Sequence, residues 1–275
     1  MPSLEEVKNF WEHNPLFSGE SRFAPGTPEY FEEHRRIVID DGFAGQLDPR
    51  VLPRPGRVLD IGCGPGFWVV ELSRALKLKE IFACDLTQRA ARLACRRAEI
   101  YGVKAHIAVE NAENLAHPDS SFTHVNCSGV IHHTPDSEAC LREIARILVP
   151  GGRAVIAVYY KNAIVRHWRY LAWAGRLLHG IGARLRGRGR DNIFLLKDAG
   201  EIVRLFDGAG NPIGKAYSKA EFRRMLRPYF EIEELFLHFF PARTLPFPIP
   251  AWLRLMLDRW CGFLIYATVR KPLAT

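Results

Sequence analysis

Past residue 56 the chain settles into short apolar runs separated by amphipathic stretches. Residues 57–61, 80–84, 104–109, 122–127 and 153–159 are short and apolar enough to be strands. Residues 66–76, 87–101 and 135–148 carry apolar positions at helical spacing. The last of these has Asp136 near its start and stops at Pro150-Gly151-Gly152. Such βαβ alternation predicts an α/β fold, a parallel sheet with helices on both faces. Two helices are predicted upstream, over 3–13 and 28–41. Ser3 and Glu6 have capping-box spacing, Asn14-Pro15 ends the first helix, and Thr27 can cap the second.

After residue 160 this order breaks. Residues 162–181 read as a helix with Ile164, Trp168, Leu171, Ala172, Gly175 and Leu178 on one face. Arg166, Arg169 and Arg176 fall elsewhere on it, and Arg184, Arg186, Arg188 and Arg190 continue the charge in a Gly/Arg run. A turn-rich linker over 207–214 leads to a helix over 218–226. Strands return over 232–239 and 262–270, on either side of a Pro-rich loop and an apolar helix near 252–260.

The whole is read as one domain, 1–275. Its parts are an N-terminal helical cap (1–54), a cofactor-binding core (55–160), a helical insertion forming a lid (161–228) and C-terminal strands with an apolar helix (229–275).

Composition narrows the class. At 48% hydrophobic and 25% charged residues the chain is globular, and 275 residues suffice for a core without disulfides. Six cysteines occur without a C-x-x-C pair, which reads as buried thiols of a reducing compartment. His13, His34, His106, His117 and His124 are scattered without ligand spacing, so no metal site is expected. The N-terminus lacks a basic segment followed by an apolar one, and no run of about 18 uncharged apolar residues occurs. A cytoplasmic location is therefore expected. The net charge of +8 favours anionic neighbours without choosing among them. The basic amphipathic segment after residue 161 could lie on an anionic membrane or pack on its own domain.

The strongest chemical signal is Val58-Leu59-Asp60-Ile61-Gly62-Cys63-Gly64-Pro65-Gly66, a strand entering a glycine turn before a helix. Glycines there let the backbone turn sharply and approach a ligand. Asp85 ends the next strand, where a carboxylate can accept both hydroxyls of a ribose. A dinucleotide fingerprint would read G-x-G-x-x-G, whereas this turn reads G-x-G-x-G, with Phe67 and Trp68 next. The loop also lacks the Lys-Ser/Thr of a nucleoside-triphosphate site. A cofactor without phosphates fits better.

These residues, with Asn111-Ala112-Glu113-Asn114-Leu115, Gly129-Val130-Ile131-His132-His133-Thr134-Pro135-Asp136 and the run LREIARILVPGG, resemble the ordered motifs of class I S-adenosylmethionine-dependent methyltransferases. The nearest group is the one containing the ubiquinone, menaquinone and small-molecule methyltransferases. The resemblance implies a Rossmann-like, seven-stranded, mostly parallel sheet with a closing antiparallel pair. It implies S-adenosylmethionine as cofactor and S-adenosylhomocysteine as product.

Residue by residue, the resemblance implies that Gly62, Cys63, Gly64 and Gly66 form the cofactor turn. Asp60 would anchor the methionine ammonium, directly or through water. Asp85 would hold the ribose and Leu86 would pack on the adenine. Ala112 and Glu113 would border the adenine edge. Asn111 stands where the family usually has Asp, and Ser128 would lie near the methionine end.

His132 and His133, at the acceptor rim, could act as general base, because an imidazole titrates near neutrality. Tyr159, Tyr160 and Lys161 could also face the acceptor. A small, hydrophobic acceptor such as a lipid, quinone or natural-product intermediate is expected. An RNA methyltransferase and a non-catalytic cofactor-binding partner protein remain as alternatives. Nucleic acid is the less favoured partner, since the Asn/Asp-Pro-Pro-aromatic motif of base-amino methylases is missing.

Overall fold

A computed structural model describes residues 2–273 except 18, 53–55, 184–191, 243–244 and 246. The Gly/Arg run from Arg184 through Arg186 and Arg188 to Arg190 lies outside the described residues. Five strands run parallel: β1 (Val58–Ile61), β2 (Ile81–Asp85), β3 (Ala105–Val109), β4 (Phe122–Ser128) and β5 (Leu148–Tyr160). A two-residue strand, β6 (Ala216–Tyr217), also pairs with β5 in parallel. The antiparallel β7 (Glu231–His238) and β8 (Leu264–Arg270) close the sheet in the order β3-β2-β1-β4-β5-β8-β7.

The helices are α1 (Leu4–His13), α2 (Pro28–Phe43), α3 (Phe67–Leu76), α4 (Gln88–Ile100) and α5 (Ser137–Ile147). They continue as α6 (Ala163–Arg166), α7 (Trp168–Gly180), α8 (Ala199–Leu205), α9 (Lys219–Leu226) and α10 (Ala251–Cys261).

Alternation along each strand builds two apolar layers. Val58 packs with Val69 and Leu72 of α3 and Ala94 and Ala98 of α4. Its neighbour Leu59 faces the other way, into a cluster with Leu141, Ile144 and Ile147 of α5 and Phe222 and Leu226 of α9. Helices therefore cover both faces. Strand order reverses beside β1, and ligands in such sheets sit beyond the carboxyl ends of the strands at that point.

The sheet differs from the seven strands expected by the short β6. Pairing of β4 with β5 ends at Ser128↔Ala157, which frees the next positions of β5 on that side, and Ala216 and Tyr217 fill them. The helix expected over 135–148 ends at Ile147, because Leu148 already pairs with Phe122. Pro150, Gly151 and Gly152 then lie within a register shift of β5 instead of stopping a helix.

The helix expected over 162–181 breaks at His167, which ends α6 and precedes α7. Trp168, just after the break, is turned inward and donates its indole N–H to the Leu196 carbonyl at 2.8 Å. Trp168, Ala172 and Gly175 are buried as expected, while Ile164 stays exposed. α8 went unread because only seven residues, capped by Asp198, form it.

Candidate active site

A cavity of about 300 Å³ opens beyond the carboxyl ends of β1, β2 and β4. The glycine turn forms its floor. Gly62 has φ +67°, and a Cβ there would stand 2.2 Å from Val130 Cγ2, so this position has room for glycine only. The Gly64 N–H donates to Asp85 Oδ2 at 2.9 Å. Gly66 serves a different purpose from the one expected. It does not line the cavity, and a Cβ on it would fall 2.9 Å from Ala94 Cα, so it lets α3 pack against α4.

Asp85 lines the cavity with Leu86, Asn111, Ala112 and Ser128. Its Oδ1 accepts from the Thr87 N–H at 2.9 Å and the Thr87 hydroxyl at 2.8 Å. With the Gly64 bond that makes three donors, and a carboxylate offers about four lone-pair positions, so acceptor capacity remains on Oδ2. Burial raises its pKa, and the bonds from Thr87 and Gly64 oppose that rise.

Two of the expected side chains point away from the cavity. Asp60 is not in the cavity wall. Its carboxylate lies beneath the turn, where Oδ1 accepts from Asn126 Nδ2 at 2.7 Å and Oδ2 has no partner among the described residues. Burial lifts its pKa to about 7, the Asn126 bond opposes this, and the Asp85 charge adds to it.

Glu113 is likewise turned away. Its Oε1 accepts from the Asp136 N–H at 2.8 Å, at the start of α5. Asn111 does reach the wall, but its Oδ1 closes the local turn by accepting from the Glu113 N–H at 3.0 Å. Cys63 also lines the cavity, with its thiol held neutral by burial, so it is no nucleophile.

The far end of the cavity is aromatic, walled by Trp11, Phe17, Tyr159, Phe206, Phe239 and Tyr266. His132 and His133 sit here, in different states. The His133 Nδ1 faces the Ile213 carbonyl at 2.7 Å, which can only accept, so that nitrogen carries a proton. Its Nε2 lies 3.2 Å from Asp207 Oδ2, which also accepts from the Tyr159 hydroxyl at 2.5 Å. The carboxylate of Asp207 thus ties His133 and Tyr159 together at the rim.

His132 packs on Tyr159 and His133, with ring centroids 4.0 and 4.1 Å apart. Neither of its nitrogens has a partner among the described residues, and burial holds its pKa well below the ordinary value. It is a neutral imidazole.

The roof comes mainly from the N-terminus. Leu4, Val7 and Trp11 of α1 line the cavity, and the Trp11 ring sits edge-on to His133 at 5.1 Å. Glu12 fastens α1 by accepting from the Gln88 N–H at 2.9 Å and the Arg89 N–H at 3.2 Å, at the start of α4. The insertion expected as the lid contributes Phe206 and Asp207, while Tyr170 and Trp173 are exposed on the outside. Asp207 and Trp11 went unnoticed in the sequence, because a turn-rich linker and a lone helix show no spacing that points to a site.

A family model described as "Methyltransferase domain" matches residues 58–152. Residues 58–152 are a methyltransferase domain. It is of the class I, S-adenosylmethionine-dependent kind, and S-adenosylmethionine is the cofactor such a domain takes. The chain is 33% identical over 112 residues to the ubiquinone biosynthesis O-methyltransferase of Xanthomonas axonopodis pv. citri, covering 40% of this chain and 46% of that protein. It is 32% identical over 137 residues to the demethylmenaquinone methyltransferase of Deinococcus radiodurans, covering 49% and 57% respectively. The chain thus spans about half the length of the curated relatives it matches.

Among solved structures, a SAM-dependent methyltransferase from Methanosarcina mazei superposes with a TM-score of 0.57 at 20% identity, covering 83% of this chain and all of that one. One from Thermotoga maritima gives 0.52 at 18% identity, over 96% and 99%. Both share the fold of the methyltransferase domain. Among the described residues no helix is long and apolar enough to cross a membrane.

Proposed function

We propose that the chain methylates a small hydrophobic acceptor at the aromatic end of this cavity. The observation that carries the reading is continuity: the wall containing Gly62 and Asp85 and the wall containing His132 and Tyr159 bound one and the same space. S-adenosylmethionine, when bound, supplies an electrophilic methyl group. Asp85 would accept from its ribose, the backbone at Gly62 and Gly64 would border its methionine part, and Leu86 and Ala112 would flank its adenine. The residues present fit that group, since only glycine is tolerated at 62 and acceptor capacity remains on Asp85.

The chain's own contribution is orientation, exclusion of water and removal of a proton. The aromatic wall favours a flat apolar acceptor, and transfer by in-line displacement gains most from such positioning. An acceptor hydroxyl would lose its proton to a ring nitrogen of neutral His132, which becomes an imidazolium in that step and, because burial disfavours the cation, passes the proton on to solvent as the product leaves. His133, held between the Ile213 carbonyl and Asp207, would hold the rim in place. The matched relatives named for ubiquinone and demethylmenaquinone chemistry favour a quinol-like acceptor.

The test has two parts. Calorimetry with S-adenosylhomocysteine should show binding, and methyl-labelled S-adenosylmethionine should label an apolar phenol or quinol from a panel. Tight NADH binding without S-adenosylhomocysteine binding would remove the cofactor assignment. Labelling of RNA in place of the panel would remove the acceptor class.

A further inference from the structure

The distribution of charge is uneven in a way the total conceals. Residues 161–190 contain eight Lys and Arg and no Asp or Glu. The chain as a whole has 38 basic and 30 acidic residues, so everything outside this segment is balanced and the net +8 resides in these thirty residues.

The same segment carries an apolar face that nothing among the described residues covers. On α7, Tyr170, Trp173 and Leu177 recur three and four residues apart and are continued by Ile181. Trp173 is 62% and Leu177 61% exposed, while the opposite side of the helix buries Trp168, Ala172 and Gly175. A second such face lies on α10, where Trp252, Leu255, Met256 and Trp260 are exposed, the last at 78%. The segment leading into α7 and the end of α10 are joined at the same end of the sheet. Asn162, which caps α6, donates its Nδ2–H to the Cys261 carbonyl at the end of α10, at 2.9 Å. The start of α6 and the end of α10 therefore lie together just past the carboxyl end of β5.

We infer that α7 and α10 dock on an anionic lipid bilayer, with their apolar faces in the headgroup boundary and Arg166, Arg169 and Arg176 on lipid phosphates. Trp, Tyr and aliphatic side chains beside arginines are what a helix lying in that boundary needs. Arg169 already lies over the Tyr170 ring at 4.5 Å, a pairing that keeps its charge at the edge of the apolar face. A second copy of the chain is disfavoured as the occupant, because a two-fold contact would set one basic segment against its twin. RNA is disfavoured because Leu177, Ile181, Leu255 and Met256 offer nothing to bases or phosphates.

The inference stands apart from methyl transfer, since it is tested without any acceptor. The full chain is sedimented with vesicles of phosphatidylcholine alone, and with vesicles containing about one third phosphatidylglycerol, at about 0.15 M salt. It should partition onto the anionic vesicles at least about tenfold more strongly, with a blue shift in tryptophan emission. The double substitution Trp173→Glu with Leu177→Glu should remove that binding. Both sites are surface positions, and retained affinity for S-adenosylhomocysteine would verify folding. Arg166→Gln with Arg169→Gln and Arg176→Gln should abolish the preference for anionic over neutral vesicles. Failure to bind anionic vesicles, or equal binding by the Glu variant, overturns the inference. So does a concentration-dependent dimer, or an RNA complex, that the same Glu variant abolishes.

Discussion

His133 Nε2 and Asp207 Oδ2 stand 3.2 Å apart although the two residues belong to different parts of the chain, the loop after β4 and the insertion. The contact couples the segment that varies most from a regular α/β order to the rim of the cofactor cavity. Asp207→Asn should leave a neutral amide facing Nε2 and release the Tyr159 hydroxyl from its charged partner. Transfer should fall by about tenfold or more, the effect of losing a charged hydrogen bond that positions Tyr159 and His133, while S-adenosylhomocysteine affinity stays within about twofold. Single-turnover rates and calorimetry on the same protein separate the two quantities. A variant that binds cofactor tenfold more weakly would place Asp207 in the cofactor half.

His132→Phe should keep the ring packed against Tyr159 and lose the basic nitrogens. If His132 takes the acceptor proton, the rate should fall by about 10²–10⁴-fold, and raising the pH should recover part of it for an acidic phenol that ionises unaided. A variant with parent activity across the pH range would leave the histidine a packing residue only.

Removing the Asp85 carboxylate takes a charged acceptor from the ribose. Asp85→Ala should weaken S-adenosylhomocysteine by about 10- to 150-fold, from roughly 1.5–3 kcal/mol for a bond to a charged group. The melting-temperature rise given by a fixed ligand concentration should shrink accordingly.

A methyl group at residue 62 meets Val130 at 2.2 Å in a backbone with φ +67°. Gly62→Ala should destabilise the fold by about 1–3 kcal/mol or more through overpacking and strain. Val130→Ala in the same chain should restore part of the loss, because it removes the atom that is struck. Urea midpoints of the two variants read this directly.

Two buried groups give stability opposite pH dependences. Asp60 has a folded pKa of about 7 against about 3.9 unfolded, so the native state holds a proton the unfolded chain releases. Its contribution therefore falls as pH rises from about 4 to about 7. His124, whose nitrogens have no partner among the described residues, is held by burial at about 3. The unfolded chain takes up a proton that the native one refuses, so stability falls as pH drops from about 6.5 towards 3. Relative to the parent, Asp60→Asn should gain stability as pH rises through the first window. His124→Leu should gain as pH falls through the second. Denaturation midpoints at either end of each window decide it.

How much of this was legible depended on whether a residue's task leaves a periodic trace. The parallel strands show as runs such as Val58 to Ile61 because burial on both faces demands continuous apolarity. Gly62 was readable because a positive φ against a neighbouring side chain admits little else. Gly66 looked the same in sequence, yet its reason is the approach of α3 to α4, which no local pattern encodes. The side chains of Glu113 and Asp60 point away from the cavity, since direction is decided by partners distant in sequence, the Asp136 amide and Asn126. Asp207 and Trp11 reach the cavity through tertiary packing alone.

The insertion also has an unusual way of leaving and rejoining the sheet. The chain departs from β5 after Tyr160, and on its return Tyr217 lies beside that same residue, its carbonyl accepting from the Lys161 N–H at 2.9 Å. Entry and exit are thus paired positions on two adjacent strands, β5 and β6, and the intervening excursion is a cassette in the genetic sense. A single contiguous stretch of coding sequence could be exchanged there without shifting the register of any strand around it. The replacement would bring its own counterpart of Asp207, so a new acceptor preference and the carboxylate that serves His133 would be inherited together.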